Sequence, residues 1–172
     1  VGKGVDSLKR WTGKTNAQLI YDSQTHPFTS QGLFDRIKGR TNIAVVGVST
    51  ARDVFGVFYL NAINEWGTLH DRNIFVFSFE SHGRCETPKR FTVKNSVRDK
   101  TGVWLMQSFK DGFLWVGTQE CGFNMGNLES TGTCDDISQV FEGLGDDMLT
   151  GKPNKHDDPL RFTRLFAFEL TF

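Results

Sequence analysis

The stretch Asp71-Arg-Asn-Ile-Phe-Val-Phe-Ser-Phe-Glu-Ser81 decides how this chain is read. Successive strand side chains point to opposite faces, so Phe75, Phe77 and Phe79 share one face. Ile74 and Val76 point the other way, and that second face turns polar at Ser78 and Glu80. A segment apolar on both sides at its start needs cover on both sides. The pattern predicts a central strand in a layered β protein, entering beneath a covering element and leaving toward water.

Its neighbours supply the partners. Residues 42–49 (Ile43 and Val45 against Ala44, Val46 and Val48) and 54–60 are apolar on both faces and read as interior strands. Residues 18–23 and 90–94 read as further strands. The closing residues 165–172 place Phe166, Phe168, Leu170 and Phe172 on one face. Lys110-Asp-Gly112 between residues 103–109 and 113–118 is the clearest hairpin signal in the chain.

Helical spacing occurs in short pieces only. Val5, Leu8 and Trp11 predict a helix over 6–11, with Asp6 or Ser7 as its cap. Leu33, Phe34 and Ile37 predict one over 31–38, capped by Thr29 or Ser30 and stopped at Gly39. Ile137, Val140, Phe141 and Leu144 predict a third over 135–143. Residues 95–102 read as a polar loop, and glycines 117, 122, 126 and 132 punctuate a loose segment. Residues 145–160 are polar and read as a surface excursion. About eight strands and two or three short helices define a mainly β chain, a two-layer antiparallel β-sandwich.

At 172 residues the chain fits one domain, residues 1–172, with a self-sufficient core. The 16 Phe against 2 Tyr favour a thick phenylalanine core, because few aromatic hydroxyls need partners. Lys plus Arg equals Asp plus Glu at 20 each, so no global field draws the chain to nucleic acid or an anionic bilayer. No apolar run approaches the roughly 18 residues that cross a membrane, so no membrane insertion is expected. The chain starts without Met or a signal-peptide core, which reads as a domain from the C-terminal part of a longer protein. Three cysteines suit a reducing compartment, cytoplasm or nucleus.

No catalytic constellation stands out, and the expectation is a non-enzymatic chain without cofactors. Thr12-Gly-Lys-Thr15 resembles the end of a phosphate loop, but Leu8 stands where its first glycine belongs. His82-Gly-Arg-Cys85 could be half of a zinc site, yet the second cluster is missing. His70-Asp71 has no nucleophile placed beside it. Asp135-Asp136 and Asp146-Asp147 lack calcium-loop spacing. Cys134, Cys121 and Cys85 are the redox candidates, and Cys134 precedes a predicted helix whose dipole would favour its thiolate. Lys152, Lys155, Arg161 and Arg164 cluster in sequence, and read first as a solvated face and second as a nucleic-acid contact.

Several segments together resemble the TLDc domain family. They are Trp11 and Gly13, Ile20-Tyr-Asp-Ser23, the helix from Leu33 to Ile37, Val54-Phe-Gly-Val-Phe58 and Asn73-Ile-Phe-Val-Phe-Ser-Phe79. The later ones are Gly122-Phe-Asn-Met-Gly126, Thr131-Gly-Thr-Cys134 and Phe166-Ala-Phe-Glu-Leu170. The resemblance spans nearly the whole chain in order. It implies a two-layer β-sandwich with few helices, a role in oxidative-stress resistance, and a protein partner, the vacuolar proton ATPase being the one it suggests. The chain departs from the family at His26-Pro-Phe-Thr29, where His-Gly-x-Ser is usual, and in its acidic loop at 145–159. His26, Asp146, Asp147, Lys152, Lys155 and His156 are therefore the candidate partner-binding residues. A peroxide-handling thiol protein and a DNA-binding stress regulator are the rival expectations.

Overall fold

The computed structural model describes residues 2–107, 110–155 and 157–172. In chain order the elements are α1 (Gly2–Thr12), β1 (Asn16–Asp22), α2 (Ser30–Ile37), β2 (Ile43–Ser49), β3 (Val54–Tyr59), β4 (Gly67–His70) and β5 (Phe75–Glu80). Then come β6 (Lys89–Thr92), β7 (Gly102–Leu105), β8 (Leu114–Gly117), β9 (Gly122–Met125), β10 (Cys134–Asp135) and β11 (Phe162–Thr171). Short 3-10 turns occupy Asn95–Lys100 and Ile137–Gln139. One sheet of six strands runs β1-β11-β2-β3-β5-β6, and a second of five runs β10-β9-β8-β7-β4. Paired strands are antiparallel in both sheets. The expected mainly β sandwich is the observed fold.

The six-stranded sheet is apolar on both faces, as the residues of β2, β3 and β5 dictate. Its inner face sets Val45, Phe55, Val57, Val76, Phe91 and Leu165 against Val103, Leu105, Val116, Phe123 and Met125 of the second sheet. Its outer face gathers Ala44, Val46, Phe58, Phe75, Phe77, Phe166 and Phe168 under Leu8 of α1, with Trp11 and Phe79 at the margin. The Trp11 ring lies 6.0, 6.2 and 6.5 Å from the rings of Phe75, Phe77 and Phe79. The phenylalanine core is thus divided between two layers. The covering element of β5 is α1, which runs four residues earlier than the expected start at residue 6.

Gly4 lets α1 lie flush. A Cβ there would stand 2.3 Å from the Phe79 ring, well inside contact distance. The helix is held at its other end by Arg90 Nη1, which donates to the Trp11 carbonyl at 3.2 Å. The Thr12-Gly-Lys-Thr15 segment is simply the helix stop, with Gly13 at φ +71.

Five expectations are corrected. β5 is second from the sheet edge, between β3 and β6, because β2 and β3 take the middle of the six and β11 inserts between β1 and β2. The helix over 135–143 does not form. Asp136 is left-handed (φ 46), Gly143 likewise (φ 76), and a single 3-10 turn buries Ile137, Val140 and Phe141 instead. The loose glycine segment contains β9 and β10, and the loop at 95–102 carries a 3-10 turn. Residues 145–160 are not a surface excursion: Leu149, Asn154 and Leu160 are buried, and Asn154 bridges to Cys134 at 3.0 and 3.2 Å. The helix near residue 31 forms as expected, Thr29 Oγ1 accepting from Gly32 N at 3.0 Å.

Because both faces of β5 are loaded, Phe77→Ala should cost about 3–5 kcal/mol in urea unfolding. Truncating Phe172, which is 82% exposed, should stay within about 0.5 kcal/mol. Equal midpoints for the two variants would contradict the double-layer packing.

Candidate interaction surface

Strand alternation in the second sheet turns Val103, Leu105, Leu114, Val116, Phe123 and Met125 inward. It turns Trp104, Trp115 and Asn124 outward. Register then lines them up: Thr68 opposes Trp104, Trp104 opposes Trp115, and Trp115 opposes Asn124. The apolar side chains of α1 serve the other sheet, and those of α2 enter the inter-sheet core. Neither helix covers this face.

Both tryptophans are half-buried. Trp115 Nε1 donates to the Thr118 carbonyl at 2.7 Å, which holds its ring against the sheet. His70 meets the Trp104 ring edge-on at 6.0 Å between centroids. Two adjoining grooves of about 810 and 370 Å3 share Trp104 and Gln119. The larger is flanked by Asp99, Glu120 and Lys100, the smaller by Asp111 and Asn124. Asn124 is 6% exposed, yet its Oδ1 has no hydrogen-bond partner among the described residues. A buried amide oxygen left unpaired is costly unless something else donates to it.

The residues singled out in the sequence are dispersed by comparison. His26 stacks on Tyr21 at 5.6 Å, and its Nδ1 accepts from Asp22 N at 3.1 Å. Asp146 Oδ1 accepts from Ser138 N at 3.0 Å and shapes the 3-10 turn. Asp147 and Lys155 are exposed, and Lys152 pairs with Asp158 at 2.5 Å. His156 lies outside the described residues. The basic cluster also breaks up: Arg161 donates to the Ser130 carbonyl at 3.0 Å, and Arg164 grips Asp22 at 2.8 and 3.2 Å.

The cysteines do not meet. Cys134 is in β10 rather than at a helix start, and it is buried against the core. Burial first, then Asp135 and Asp146, push its thiol up to about 12. Cys121 lies at the rim of the larger groove, its thiol raised by burial and by Asp136. Cys85 sits on Ser81, while His82 turns to Asp53 at 2.8 Å, so these two do not form half of a zinc site. Among the described residues no three His, Cys, Asp or Glu side chains gather as a metal-ligand set. No helix among them is long and apolar enough to cross a membrane. The Asp71 carboxylate is occupied by the backbone N–H groups of Leu60, Asn61 and Asn73 at 2.6, 2.9 and 2.8 Å, and serves the strand connection.

Sequence reasoning missed the buried Asp53, which pairs with His82 and, at 2.7 Å, with Arg84. It read the hairpin that carries both tryptophans without assigning them a face. The alternation Val103-Trp-Leu105 and Leu114-Trp-Val116 already marked them as outward.

The two antiparallel sheets, one backed by α1 and the other without a helix on its outer face, define a two-layer β-sandwich domain. The TLDc domain model matches residues 5–160, and the chain belongs to the TLDc domain family. A comparison with curated proteins gives no match.

Two outcomes test these placements. In alkylation of the folded chain near pH 8, Cys134 should label only after denaturation, whereas Cys85 and Cys121 label first; early labelling of Cys134 would contradict its burial. Arg164, bonded to both Asp22 oxygens, holds that carboxyl below its ordinary value against the opposing effect of burial. Stability from a depressed carboxyl is present above the unfolded value, about 4, and is lost as pH falls through the folded one. Asp22→Asn should therefore lower the melting temperature at neutral pH, with the gap from the parent closing as pH drops below about 4.

Proposed function

We propose that this chain is a non-enzymatic regulatory module that captures a protein partner on the open face of its five-stranded sheet. It acts in the oxidative-stress response, in the cytoplasm, with the vacuolar proton ATPase as the partner. One observation carries this reading: Trp104 and Trp115 stand side by side on paired strands, half-buried, where neither α1 nor α2 covers them. Tryptophan is the residue most enriched at binding hot spots, and a ring fixed on a strand loses little freedom when a partner arrives. Membership of the TLDc family supports the regulatory role.

The rival readings have less support. A peroxide-handling thiol needs an accessible thiolate, while burial raises the Cys134 and Cys121 thiols. A duplex-binding surface needs clustered cations, and here Arg161, Arg164 and Lys152 are each engaged by other groups.

Purified peripheral sector of the vacuolar ATPase should bind the chain, and Trp104→Ala/Trp115→Ala should weaken that binding at least about ten-fold, the scale of a hot-spot truncation. Unchanged binding by the double variant overturns the assignment of the face. No binding by the parent chain overturns the assignment of the partner.

A further inference from the structure

We infer that a second pocket, at the end of α1 over the outer face of the six-stranded sheet, binds a compact ligand carrying clustered phosphate monoesters through Lys14, Arg72, Arg90 and Arg98. The site is independent of the tryptophan face, since none of its lining residues lines either groove there.

The fold gathers these four cations from different segments. The pocket has a volume of about 390 Å3 and an apolar floor that includes Trp11, Phe58 and Phe75. Register sets Thr92 of β6 opposite Phe75 and Arg90 opposite Phe77, so Arg90 and Thr92 stand on this outer face. The other three cations arrive from separate connections: Lys14 from the α1–β1 link, Arg72 from the β4–β5 link and Arg98 from the 3-10 turn after β6. Among the described residues no Asp or Glu lines the pocket. The neighbouring sequence has the same sign, since residues 89–100 carry Lys89, Arg90, Lys94, Arg98 and Lys100 against Asp99 alone. A chain that is neutral as a whole thus concentrates positive charge around one concavity, which draws anions to it.

These cations have capacity left. Arg90 has a structural duty: its Nη1 donates to the Trp11 carbonyl at the negative end of α1, and its guanidinium lies 5.5 Å from the Phe75 centroid. That bond spends one N–H of a five-donor fork. Arg72 meets Asp99 at 2.7 Å, but both side chains are largely exposed, and such a pair holds its members weakly. Arg98 and Lys14 form no ion pair among the described residues. Charge balance then selects the ligand class. A carboxylate offsets one cation, whereas a phosphate monoester carries about −1.5 to −2 with three acceptor oxygens, so roughly two or three neighbouring phosphates match the set. Three of the four cations are arginines, whose planar forks take phosphate oxygens two at a time. A duplex backbone would need cations along a track rather than around one concavity.

The test titrates inositol trisphosphate into the full chain by calorimetry at fixed ionic strength, with citrate as the carboxylate comparison. Saturable binding of inositol trisphosphate is expected, at least about ten-fold tighter than citrate and at least about ten-fold weaker in Arg72→Glu/Arg98→Glu. Arg72→Gln/Arg98→Gln, which removes charge without reversing it, should weaken binding several-fold and keeps the test decisive if the reversed pair is unstable. Lys110→Glu/Lys155→Glu, exposed and outside the pocket, makes the same change in net charge as the reversed pair and should leave binding unchanged. Co-sedimentation with phosphatidylcholine vesicles containing phosphatidylinositol bisphosphate separates two sources of the same chemistry. Capture that free inositol trisphosphate displaces supports a lipid headgroup as the ligand, and soluble binding without capture supports a free phosphate ester. Absence of saturable binding by the parent, equal affinity for citrate, or unaffected binding by both arginine variants overturns the inference. Equal loss in Lys110→Glu/Lys155→Glu shows diffuse attraction and overturns it too. Capture that free inositol trisphosphate cannot displace overturns the shared site. None of these failures touches the tryptophan face, which is tested by its own variants.

Discussion

A sheet that is apolar on both faces must be covered twice, and that requirement organises this molecule. In the six-stranded sheet β2, β3, β5 and β11 send large side chains both ways. One face is sealed by the second sheet and the other by α1. Each fully buried Phe, Leu or Val contributes about 1.5–3 kcal/mol, so Leu8, with Val5 and Trp11 packed beside it, makes the apolar side of α1 part of the core. Without α1 the rings of Phe75, Phe77, Phe166 and Phe168 would form a contiguous exposed patch of the kind that drives association. Gly4 is the device that lets the helix come close enough, and Trp11 spans the three phenylalanines that β5 presents.

The five-stranded sheet has the opposite constitution. Its strands are short and apolar on the inner side only, so one cover satisfies it. What it shows on the other side is not required to face a second apolar layer. That side nevertheless carries tryptophan, the bulkiest apolar ring, where polar residues would be the structural default. The position also has a mechanical merit, since side chains on paired strands are held more precisely than those on loops.

Legibility in the sequence followed side-chain period. The alternation around Phe75, Phe77 and Phe79 announced the two-faced sheet, and Leu33, Phe34 and Ile37 with Thr29 announced α2. Gly122-Phe-Asn-Met125 was hidden, because glycine and asparagine have poor strand propensity even though Phe123 and Met125 alternate correctly around Asn124. Ile137, Val140, Phe141 and Leu144 have helical spacing, yet the backbone reverses at Asp136 and Gly143 and buries the same residues through turns. Tertiary burial there overrides local periodicity. The tryptophan pair was readable as outward from its apolar neighbours. The register that sets Trp104 opposite Trp115 and Asn124 opposite Trp115 was not, since it depends on three strands at once.

Much of the charge in and around the sequence-marked loops fastens the chain, and the reason is physical. Polar residues were taken as solvent-facing, but several are charges buried to fasten the chain. Asp53 lies beneath His82 and Arg84, and Arg84 continues to the carbonyls of Met148 and Leu149 at 3.1 and 2.9 Å. That chain of contacts ties the β2–β3 turn and the β5–β6 connection to the acidic loop. Asp22 and Arg164 do the same for β1 and β11, and Asp71 for the passage from β3 toward β5. A buried carboxylate is tolerable only when it is paired, so each of these is committed to its partner and has little left for a ligand. Two buried amides differ, Asn124 and Asn154, whose Oδ1 atoms have no hydrogen-bond partner among the described residues. What the five-stranded sheet keeps uncommitted is its outer face, where Trp104 and Trp115 stand opposite each other on paired strands.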